Sequence, residues 1–314
     1  MSSTAMSSNH GSHNPDITVF TCTYNRADTL VRTYESLCAQ THKNFEWLVF
    51  DNGSTDNTSE LIEQWKLEGK VHLKHMSWEN NTGYQRTFNR GVAEARGKFW
   101  IVLDSDDSCF ENALERMLEI WHSIPTDRQA EFSGVSVNCI DQYGELVGTE
   151  FPEDQFDSNN MELRYKHKVK GDKFGMTRLD VLRQYPFPET SHHVNSGIVW
   201  RAIARKYKIR YVNERLRVYY IDEVGRPDQL TQHYSIESSA VGRIMNHKAS
   251  LNEEMDWFFY APLRFCNMAA VYVLCSMALK KPKLEILSEI KPFTSKLLVL
   301  GAFPFAIIAN ALNK

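Results

Sequence analysis

The sequence predicts an α/β fold built on an open, mainly parallel central sheet flanked by helices. Two observations support this prediction. Apolar, strand-like segments alternate with helical segments from about residue 15 to residue 125, and each strand-like segment ends at polar residues. This alternation is typical of parallel sheets, in which the carboxyl ends of the strands form the edge where ligands bind. At 314 residues, the chain is long enough for one such domain with additional elements.

The first two strands are predicted from β-branched and aromatic residues at 17–24 and 45–50. Each is followed by a helical pattern. The apolar residues of the first helix recur on one face, at Leu30, Tyr34, Leu37 and Cys38. The second strand stops at the turn-forming segment 51–56, whose polar residues can cap a helix carrying Leu61, Ile62 and Trp65.

Two further strands are predicted downstream. Residues 71–73 form a short apolar segment that indicates a third strand. A helix is expected from about Tyr84 to Arg96, and Gly97 then leads into a fourth strand that ends near residue 103. The next helix is expected to begin near Phe110.

Three carboxylates follow this fourth strand, at Asp104, Asp106 and Asp107. Closely spaced anions repel one another and resist burial, so the arrangement makes sense if a cation lies there. Hard oxygen ligands of this kind suit Mg²⁺ or Mn²⁺ shared with substrate phosphates. A solvated turn that caps the next helix is the alternative. In a parallel sheet, Tyr24, Asp51 and Asp104 would gather at one edge.

An ordered set of motifs resembles the family 2 glycosyltransferases with the GT-A fold. The match covers roughly residues 15–125, and its pieces are Thr21–Arg26, Asp51–Asp56, Asn81–Gly83, Asn89–Gly91, Gly97–Phe99 and Leu103–Asp107. Later segments resemble a bacterial branch of the family, namely Gly171–Lys173, Tyr185–Glu189, Gly197–Trp200 and Tyr207–Glu214. The order and spacing of the set make the resemblance specific.

The resemblance implies a metal-dependent enzyme that inverts the anomeric carbon of a nucleotide diphosphate sugar, usually a uridine diphosphate sugar. The acceptor would be a glycan or a lipid-linked molecule of polysaccharide or cell-envelope biosynthesis. Residues 15–125 would then bind the nucleotide sugar, and residues 126–250 would form the acceptor-binding half of the same domain. A divalent Mg²⁺ or Mn²⁺ ion would neutralise the leaving diphosphate.

Several residues are predicted to hold the donor and the metal. Tyr24 can stack on a nucleobase, while Asp51 can accept a hydrogen bond from the base or the ribose, or can form an Asx turn instead. The full donor set is Thr23, Tyr24, Asn25, Arg26, Asp51, Gly83, Asp104 and Ser105. The expected metal ligands are Asp104, Asp106 and Asp107.

The catalytic base departs from the family pattern. An acidic residue often stands just before the segment Gly197–Trp200 in this branch, but the position holds Ser196, which cannot act alone as a general base. Three substitutes are predicted: Glu189, His193 and Asp172. His193 is alternatively a metal ligand or part of a surface loop.

Composition narrows the partners. The formal net charge of -3 gives no general attraction to nucleic acid. The six cysteines show no paired spacing, which suits a reducing compartment and predicts a cytoplasmic protein. Residues 1–14 contain no apolar stretch and are expected to form a disordered tail.

Residues 251–314 are expected to form a helical extension. Its apolar stretches are too interrupted or too short to span a bilayer, but lysines lie among aromatic and aliphatic residues. This pattern indicates that residues 255–314 lie on the cytoplasmic face of a membrane. The alternative is a helical subdomain that packs on the catalytic domain or forms a homo-oligomer contact.

Two other function classes stay open at this point. A nucleotidyltransferase also uses a parallel sheet and paired aspartates, but it would normally carry a glycine-rich loop after the first strand, where this chain has Thr23–Asp28. A sugar-nucleotide-binding protein with weak or no activity would explain the absence of an acid at Ser196.

Overall fold

The computed structural model describes residues 14–190, 194–221 and 236–312. Within these residues, nine strands form one sheet in the order β3-β2-β1-β4-β8-β6-β9-β5, and β7 pairs with β9. Helices flank the sheet, and further helices follow it, which confirms the predicted fold class. The expected tail at residues 1–14 lies outside the described residues except for Asn14.

The first half of the chain alternates strands and helices as the sequence predicts. Its elements are β1 (Ile17–Thr23), α1 (Leu30–Cys38), β2 (Phe45–Asp51), α2 (Thr58–Glu68), β3 (Leu73–Ser77), α3 (Tyr84–Glu94) and β4 (Phe99–Val102). All the pairs β1–β2, β2–β3 and β1–β4 are parallel. The chain order therefore reverses at β1, and the crevice outside the ends of β1 and β4 is where such sheets bind ligands.

Two boundaries differ from the prediction. The third strand was expected at residues 71–73 but lies at Leu73–Ser77, where it pairs with Trp47–Asp51 of β2. It is an edge strand whose residues are only partly buried, so its sequence lacks the apolar run that marks the other strands. The next helix begins at Ala113, three residues after Phe110.

The second half completes the sheet with mixed strands. Its elements are β5 (Ser108–Cys109), α4 (Ala113–His122), a 3₁₀ turn (Gln129–Glu131), β6 (Phe132–Asp141), β7 (Gln155–Ser158), α5 (Asn160–Tyr165), β8 (Lys173–Arg178), α6 (Leu179–Leu182), α7 (Gly197–Ala204) and β9 (Lys208–Tyr219). Strand β8 runs antiparallel between β4 and β6, whereas β9 is parallel to β6. This arrangement brings the end of β9 beside the residues that follow β4.

The sheet has an apolar layer on each face because neighbouring residues of a strand point to opposite sides. Val19 packs into one layer and Phe20 into the other. In the first layer the rings of Tyr34 and Trp65 stack with centroids 4.3 Å apart. In the second, Phe20 stacks on Trp100 at 4.7 Å.

Helices follow the sheet to the end of the described chain. They are α8 (Ile236–Glu253), a 3₁₀ segment (Met255–Tyr260), α9 (Pro262–Ala278), α10 (Lys283–Ser288) and α11 (Phe293–Leu312). They share a core of their own that includes Ile244, Tyr272 and Val299. The helical extension is thus confirmed, but it begins with α8, before the expected residue 251. In the described part of the chain, no helix combines the length and apolar character needed to cross a membrane.

The extension also packs on the sheet domain. Tyr165 of α5 and Ala204 of α7 share an apolar cluster with Phe265 and Met268 of α9. Tyr165 is fully buried, and its ring centroid lies 5.2 Å from that of Phe265. One face of the extension therefore packs on the sheet domain, as the alternative of a helical subdomain predicts.

Candidate active site

Three strand ends meet at one edge of the sheet. Thr23 of β1 pairs in register with Asp51 of β2, and the Asn52 N–H donates to the Thr23 carbonyl at 2.8 Å. On the other side of β1, the Leu103 N–H donates to the Phe20 carbonyl at 3.0 Å. Tyr24, Asp51 and Asp104 consequently stand at the ends of three neighbouring strands, on one edge of the sheet.

The loops after β1 and β2 are tied together by hydrogen bonds. Asn25 adopts a left-handed conformation with φ of 52°, which asparagine tolerates better than most residues. Its side-chain oxygen accepts from the Thr55 N–H at 2.7 Å, and its own N–H donates to Ser54 Oγ at 2.9 Å. The Arg26 N–H donates to Thr58 Oγ1 at 3.0 Å. These bonds hold the two loops together at the ends of β1 and β2.

Asp51, the last residue of β2, is buried. Its Oδ1 accepts from the Ser54 N–H at 2.9 Å and from Ser54 Oγ at 2.6 Å, and its Oδ2 accepts from Ser59 Oγ at 2.7 Å. The Asp51 side chain therefore caps the turn after β2, through the N–H three residues on and not the N–H two residues on that defines an Asx turn. A carboxylate oxygen has more than one lone pair, so the turn leaves Asp51 able to accept a further hydrogen bond.

Thr23 and Tyr24 lie at the end of β1, on the same edge of the sheet. The Tyr24 side chain is 39% exposed, so its ring can offer a stacking face. Thr23 is buried, and its hydroxyl has no hydrogen-bond partner among the residues that the structure describes. A buried hydroxyl without a partner costs free energy, which a ligand hydrogen bond would recover.

Gly83 stands at the far side of the same edge. It has φ of 86°, and its N–H donates to Asn81 Oδ1 at 3.0 Å just before α3 begins. The first residue of α3, Tyr84, is close to the carboxylates. Burial raises the pKa of Tyr84 well above its ordinary value, and the negative charge of Asp104 raises it further.

Helix α1 holds the backbone of the carboxylate segment 104–107. Thr29 Oγ1 donates to the Ser105 carbonyl at 3.0 Å, and Thr33 Oγ1 donates to the Asp107 carbonyl at 2.8 Å. Arg32 Nη1 donates to the Asp106 carbonyl at 3.1 Å. The segment is thus a braced loop, whose side chains are presented in fixed directions.

Arg217 of β9 is the site residue that sequence analysis missed. It is only 5% exposed; its Nε donates to Asp107 Oδ2 at 2.8 Å and its Nη2 to Asp104 Oδ2 at 2.5 Å. The Tyr220 N–H donates to the other oxygen of Asp107, Oδ1, at 3.0 Å. The one local signal was an arginine between Leu216 and Val218 in a strand-like segment, which does not reveal its partner.

The carboxylates of this loop differ in their environment. Burial raises the pKa of Asp107 to about 6, although the positive charge of Arg217 opposes the shift. Burial also raises the pKa of Asp106, with the charge of Asp104 adding to the effect. Cys22 lies between the two sides of the crevice: burial raises its pKa to about 12, and both Asp104 and Asp51 contribute.

These contacts bear on which residues suit a metal. Asp107 is 2% exposed and its oxygens accept hydrogen bonds from Arg217 and Tyr220, so it braces the loop and is the most buried of the three predicted ligands. Asp104 and Asp106 remain as hard oxygen donors, and a divalent cation would relieve the repulsion that raises the pKa of Asp106. Among the described residues, no group of three His, Cys, Asp or Glu side chains is arranged to hold an ion. Two carboxylates fit a metal that completes its coordination with substrate phosphates.

Two of the three candidate bases, Asp172 and Glu189, lie among the described residues. Asp172 is exposed just before β8. It lies near Tyr219, whose pKa is raised to about 12 by burial first and then by the negative charges of Asp172 and Asp107. Glu189 is exposed on the segment after α6. His193 lies outside the described residues, and Ser196 immediately precedes α7.

Comparison with known proteins gives a family and a fold. The model of the family described as "Glycosyl transferase family 2" matches residues 18–185. TuaG of Bacillus subtilis, named for teichuronic acid biosynthesis, is 28% identical over 171 residues, which are 54% of this chain and 63% of TuaG. This chain spans a third or less of the length of three Rickettsia glycosyltransferases that it also matches.

Two solved structures share the fold. TarS 1-349 of S. aureus, in complex with UDP-GlcNAc, has a TM-score of 0.60 at 18% identity over 93% of this chain and 80% of that one. The mannosyltransferase PcManGT from Pyrobaculum calidifontis, in complex with GDP-Man and Mn²⁺, has a TM-score of 0.52 at 15% identity over 96% and 88%. The motif order, the strand-end crevice and the family match agree, and the chain belongs to glycosyl transferase family 2.

Proposed function

We propose that the protein transfers a sugar from a nucleotide diphosphate sugar, with uridine as the base, to a glycan or lipid-linked acceptor in polysaccharide or cell-envelope biosynthesis. The observation that carries the proposal is the meeting of Tyr24, Asp51 and Asp104 in a crevice whose loops are already braced. Support also comes from TuaG and from the TarS complex with UDP-GlcNAc, which are similar to this chain.

The nucleotide would bind between Tyr24 and Asp51. The exposed Tyr24 ring would stack on the base, and the Asp51 carboxylate would accept from a base N–H or a ribose hydroxyl. Other residues would line or brace the same crevice, namely Thr23, Asn25, Arg26, Gly83 and Ser105. Because Ser54 and Ser59 already orient Asp51, little conformational entropy would be lost when the nucleotide binds.

Asp104 and Asp106 would hold a divalent Mg²⁺ or Mn²⁺ ion against the donor diphosphate. When bound, the ion would act as a Lewis acid that neutralises charge on the leaving nucleoside diphosphate. Arg217 would keep Asp104 oriented from the buried side, and Asp107 would keep Arg217 in place. Asp104 and Asp106 would thus be metal ligands, whereas Asp107 would hold Arg217 in position.

An acceptor hydroxyl would attack the anomeric carbon from the side opposite the diphosphate, and a general base would take its proton. We favour Asp172 for this role because its charge acts on Tyr219 beside the carboxylate cluster. Glu189 and His193 are the other candidates. The proton would leave the acceptor oxygen as the new glycosidic bond forms and the bond to the diphosphate breaks.

The exposed face of α11 supports a position at a membrane surface. One side of this helix packs in the extension core, but the other is also apolar and exposed, with Phe293, Leu297, Leu300, Phe305 and Ile308. Lys291 lies beside this face at the helix start, and Lys280 and Lys283 precede it. Apolar area flanked by lysines matches an anionic lipid surface, where a lipid-linked acceptor would be found.

A donor screen tests the transfer proposal. Purified protein would be incubated with Mn²⁺, a panel of nucleotide sugars and a membrane extract as acceptor source, and nucleotide release would be measured. Release from a uridine diphosphate sugar that depends on the acceptor is the expected result. Tight nucleotide binding without product from any donor would favour the alternative of a sugar-nucleotide-binding protein.

A further inference from the structure

A second charged site lies where the extension packs on the sheet domain. Arg201 of α7 is 5% exposed, and its Nε lies 2.7 Å from Glu254 Oε1 in a buried ion contact. The Tyr165 hydroxyl donates to the other oxygen of Glu254. Asn246 of α8 accepts from Arg201 Nη2. One buried carboxylate therefore joins α5, α7 and the segment after α8.

Two more arginines flank the Tyr165 ring. The guanidinium carbon of Arg264 lies 5.5 Å from the ring centroid, and that of Arg164 lies 5.9 Å from it. Arg164 Nε is buried and has no hydrogen-bond partner within the described ranges. We call Arg164, Arg201 and Arg264 the Tyr165 arginine cluster.

The charges of this cluster do not balance. Within the described residues, Arg201 pairs with Glu254, whereas Arg164 and Arg264 lie over the Tyr165 ring without a carboxylate partner, which leaves two positive charges in the immediate contacts. His247 of α8 adds no charge near neutral pH, because burial first and then Arg201, Arg243 and Arg164 lower its pKa to about 4. Like charges in a partly buried site repel, and a buried donor without an acceptor costs free energy. In the part of the chain that the structure describes, no second carboxylate pairs with the cluster.

The cluster also adjoins the segment that precedes α7, where Ser196 occupies the expected position of the catalytic base. A Cβ placed on Gly197 would lie 2.8 Å from Arg201 Nη1, so this guanidinium reaches the first turn of α7. Ser196 stands at that same helix start. The Val194 carbonyl just before it accepts from Gln85 Nε2 of α3 at 2.8 Å. The segment 194–197 thus contacts α3 at Val194 and Arg201 of the cluster at Gly197.

We infer that the Tyr165 arginine cluster binds a phosphoryl group of the acceptor. The inference rests on the proposed function and specifies its acceptor as a phosphate-bearing molecule. Planar guanidinium groups match phosphate oxygens with paired hydrogen bonds, and a phosphate dianion balances two charges, whereas one carboxylate would balance only one. The phosphate belongs to a lipid headgroup or to a soluble phosphorylated glycan, and both present the same oxygens.

Phosphate binding can be measured without transferase activity. Inorganic phosphate would be titrated calorimetrically into the full chain, into Arg164→Gln and into Arg264→Gln. Arg201 is left intact because removing it would strand the buried Glu254. Arg128→Gln is the matched control, since Arg128 also lies over an aromatic ring, 5.7 Å from the Phe132 centroid, and pairs with Glu131. Saturable binding that weakens about tenfold in each cluster variant and not in the control is expected.

A second experiment distinguishes a lipid headgroup from a soluble phosphate as the bound group. Vesicles of phosphatidylcholine with and without phosphatidic acid would be compared for the wild type and Arg164→Gln. Loss of the phosphatidic acid preference in the variant assigns the site to a lipid headgroup, and an unchanged preference assigns it to a soluble phosphate. Absence of phosphate binding in both arms, or equal binding by the cluster variants and the control, overturns the inference. Titration of the same proteins with uridine diphosphate tests the donor site separately, so the two proposals fail independently.

Discussion

Arg217 and Asp107 form a buried ion pair between β9 and the loop after β4, with the Arg217 Nε 2.8 Å from Asp107 Oδ2. The same guanidinium reaches Asp104 at 2.5 Å, so one cation joins a buried aspartate to one that borders the crevice. A buried charge is tolerated when it is paired and hydrogen-bonded, and here the Tyr220 N–H satisfies the remaining oxygen. The pair links the end of β9 to the loop after β4.

Replacing Arg217 with methionine should therefore destabilise the protein strongly. Removing one partner of a buried pair leaves the other uncompensated, which costs about 3–5 kcal/mol. Urea unfolding measures the change. Arg215→Met is the matched control, because Arg215 forms an exposed pair with Glu150 that is worth about 1 kcal/mol or less. An equal, small effect of both substitutions would contradict a bracing role for Arg217.

Replacing Asp106 with alanine should lower turnover by orders of magnitude and leave the fold intact. The pKa of Asp106 is raised by burial and by Asp104, so its removal relieves repulsion in the free protein. An activity assay with added Mn²⁺ measures the loss of turnover, and a thermal melt shows whether the fold is intact. Asp127→Ala, at an exposed loop position, is the control. Full activity of Asp106→Ala in the presence of a chelator would exclude the metal assignment.

Tyr24→Ala and Asp51→Ala should each weaken nucleoside diphosphate binding by about 1–3 kcal/mol, because a stacking face or a buried polar contact is lost. Titration calorimetry with uridine diphosphate gives the affinities. Tyr143→Ala serves as the control, since Tyr143 is 68% exposed on the turn after β6. Unchanged affinity in both site variants would remove the nucleotide from this crevice.

His247 should make stability fall in acid. Burial first, and then Arg201 of α7, Arg243 of α8 and Arg164 of α5, lower its pKa from 6.5 to about 4. Between those values the unfolded chain binds a proton that the folded chain does not, so the unfolding free energy decreases as the pH falls. The contribution is fully present above pH 6.5 and reaches up to about 3 kcal/mol.

Urea unfolding of the wild type and His247→Gln across that range measures this contribution. The variant should lose less stability than the wild type as the pH falls from 6.5 towards 4. Identical pH profiles for the two proteins would show that His247 is freely protonated in the folded state.

The exposed face of α11 should bind anionic vesicles. Leu297→Glu with Leu300→Glu should abolish flotation with such vesicles, whereas Leu67→Glu on α2, at a position 88% exposed, should not. Binding of the wild type should weaken with salt, since each basic residue near the surface contributes about 1 kcal/mol. If the wild type instead sediments as a dimer that the double variant disrupts, the face is a contact between two copies.

Much of the first half was predictable because its signals are local. The β-branched runs of β1 and β2 are buried on both faces, and the apolar stripe of α1 follows helical spacing, so periodicity alone indicated their type and nearly their ends. The edge strand β3 was displaced because partial burial weakens that signal. Tyr24, Asp51 and Asp104 could be assigned to one edge since parallel strands end on the same side.

The sequence by itself determined the fold class, the family resemblance and the strand-end residues, because these depend on local pattern and on the geometry common to parallel sheets. Tertiary structure alone decided which carboxylate is buried against Arg217. Asp107 and Arg217 are 110 residues apart, and only the register of β9 against β5 and β6 brings them together. The Tyr165 arginine cluster has the same origin, since α5, α7 and α9 each supply one arginine and no segment reveals their common neighbour.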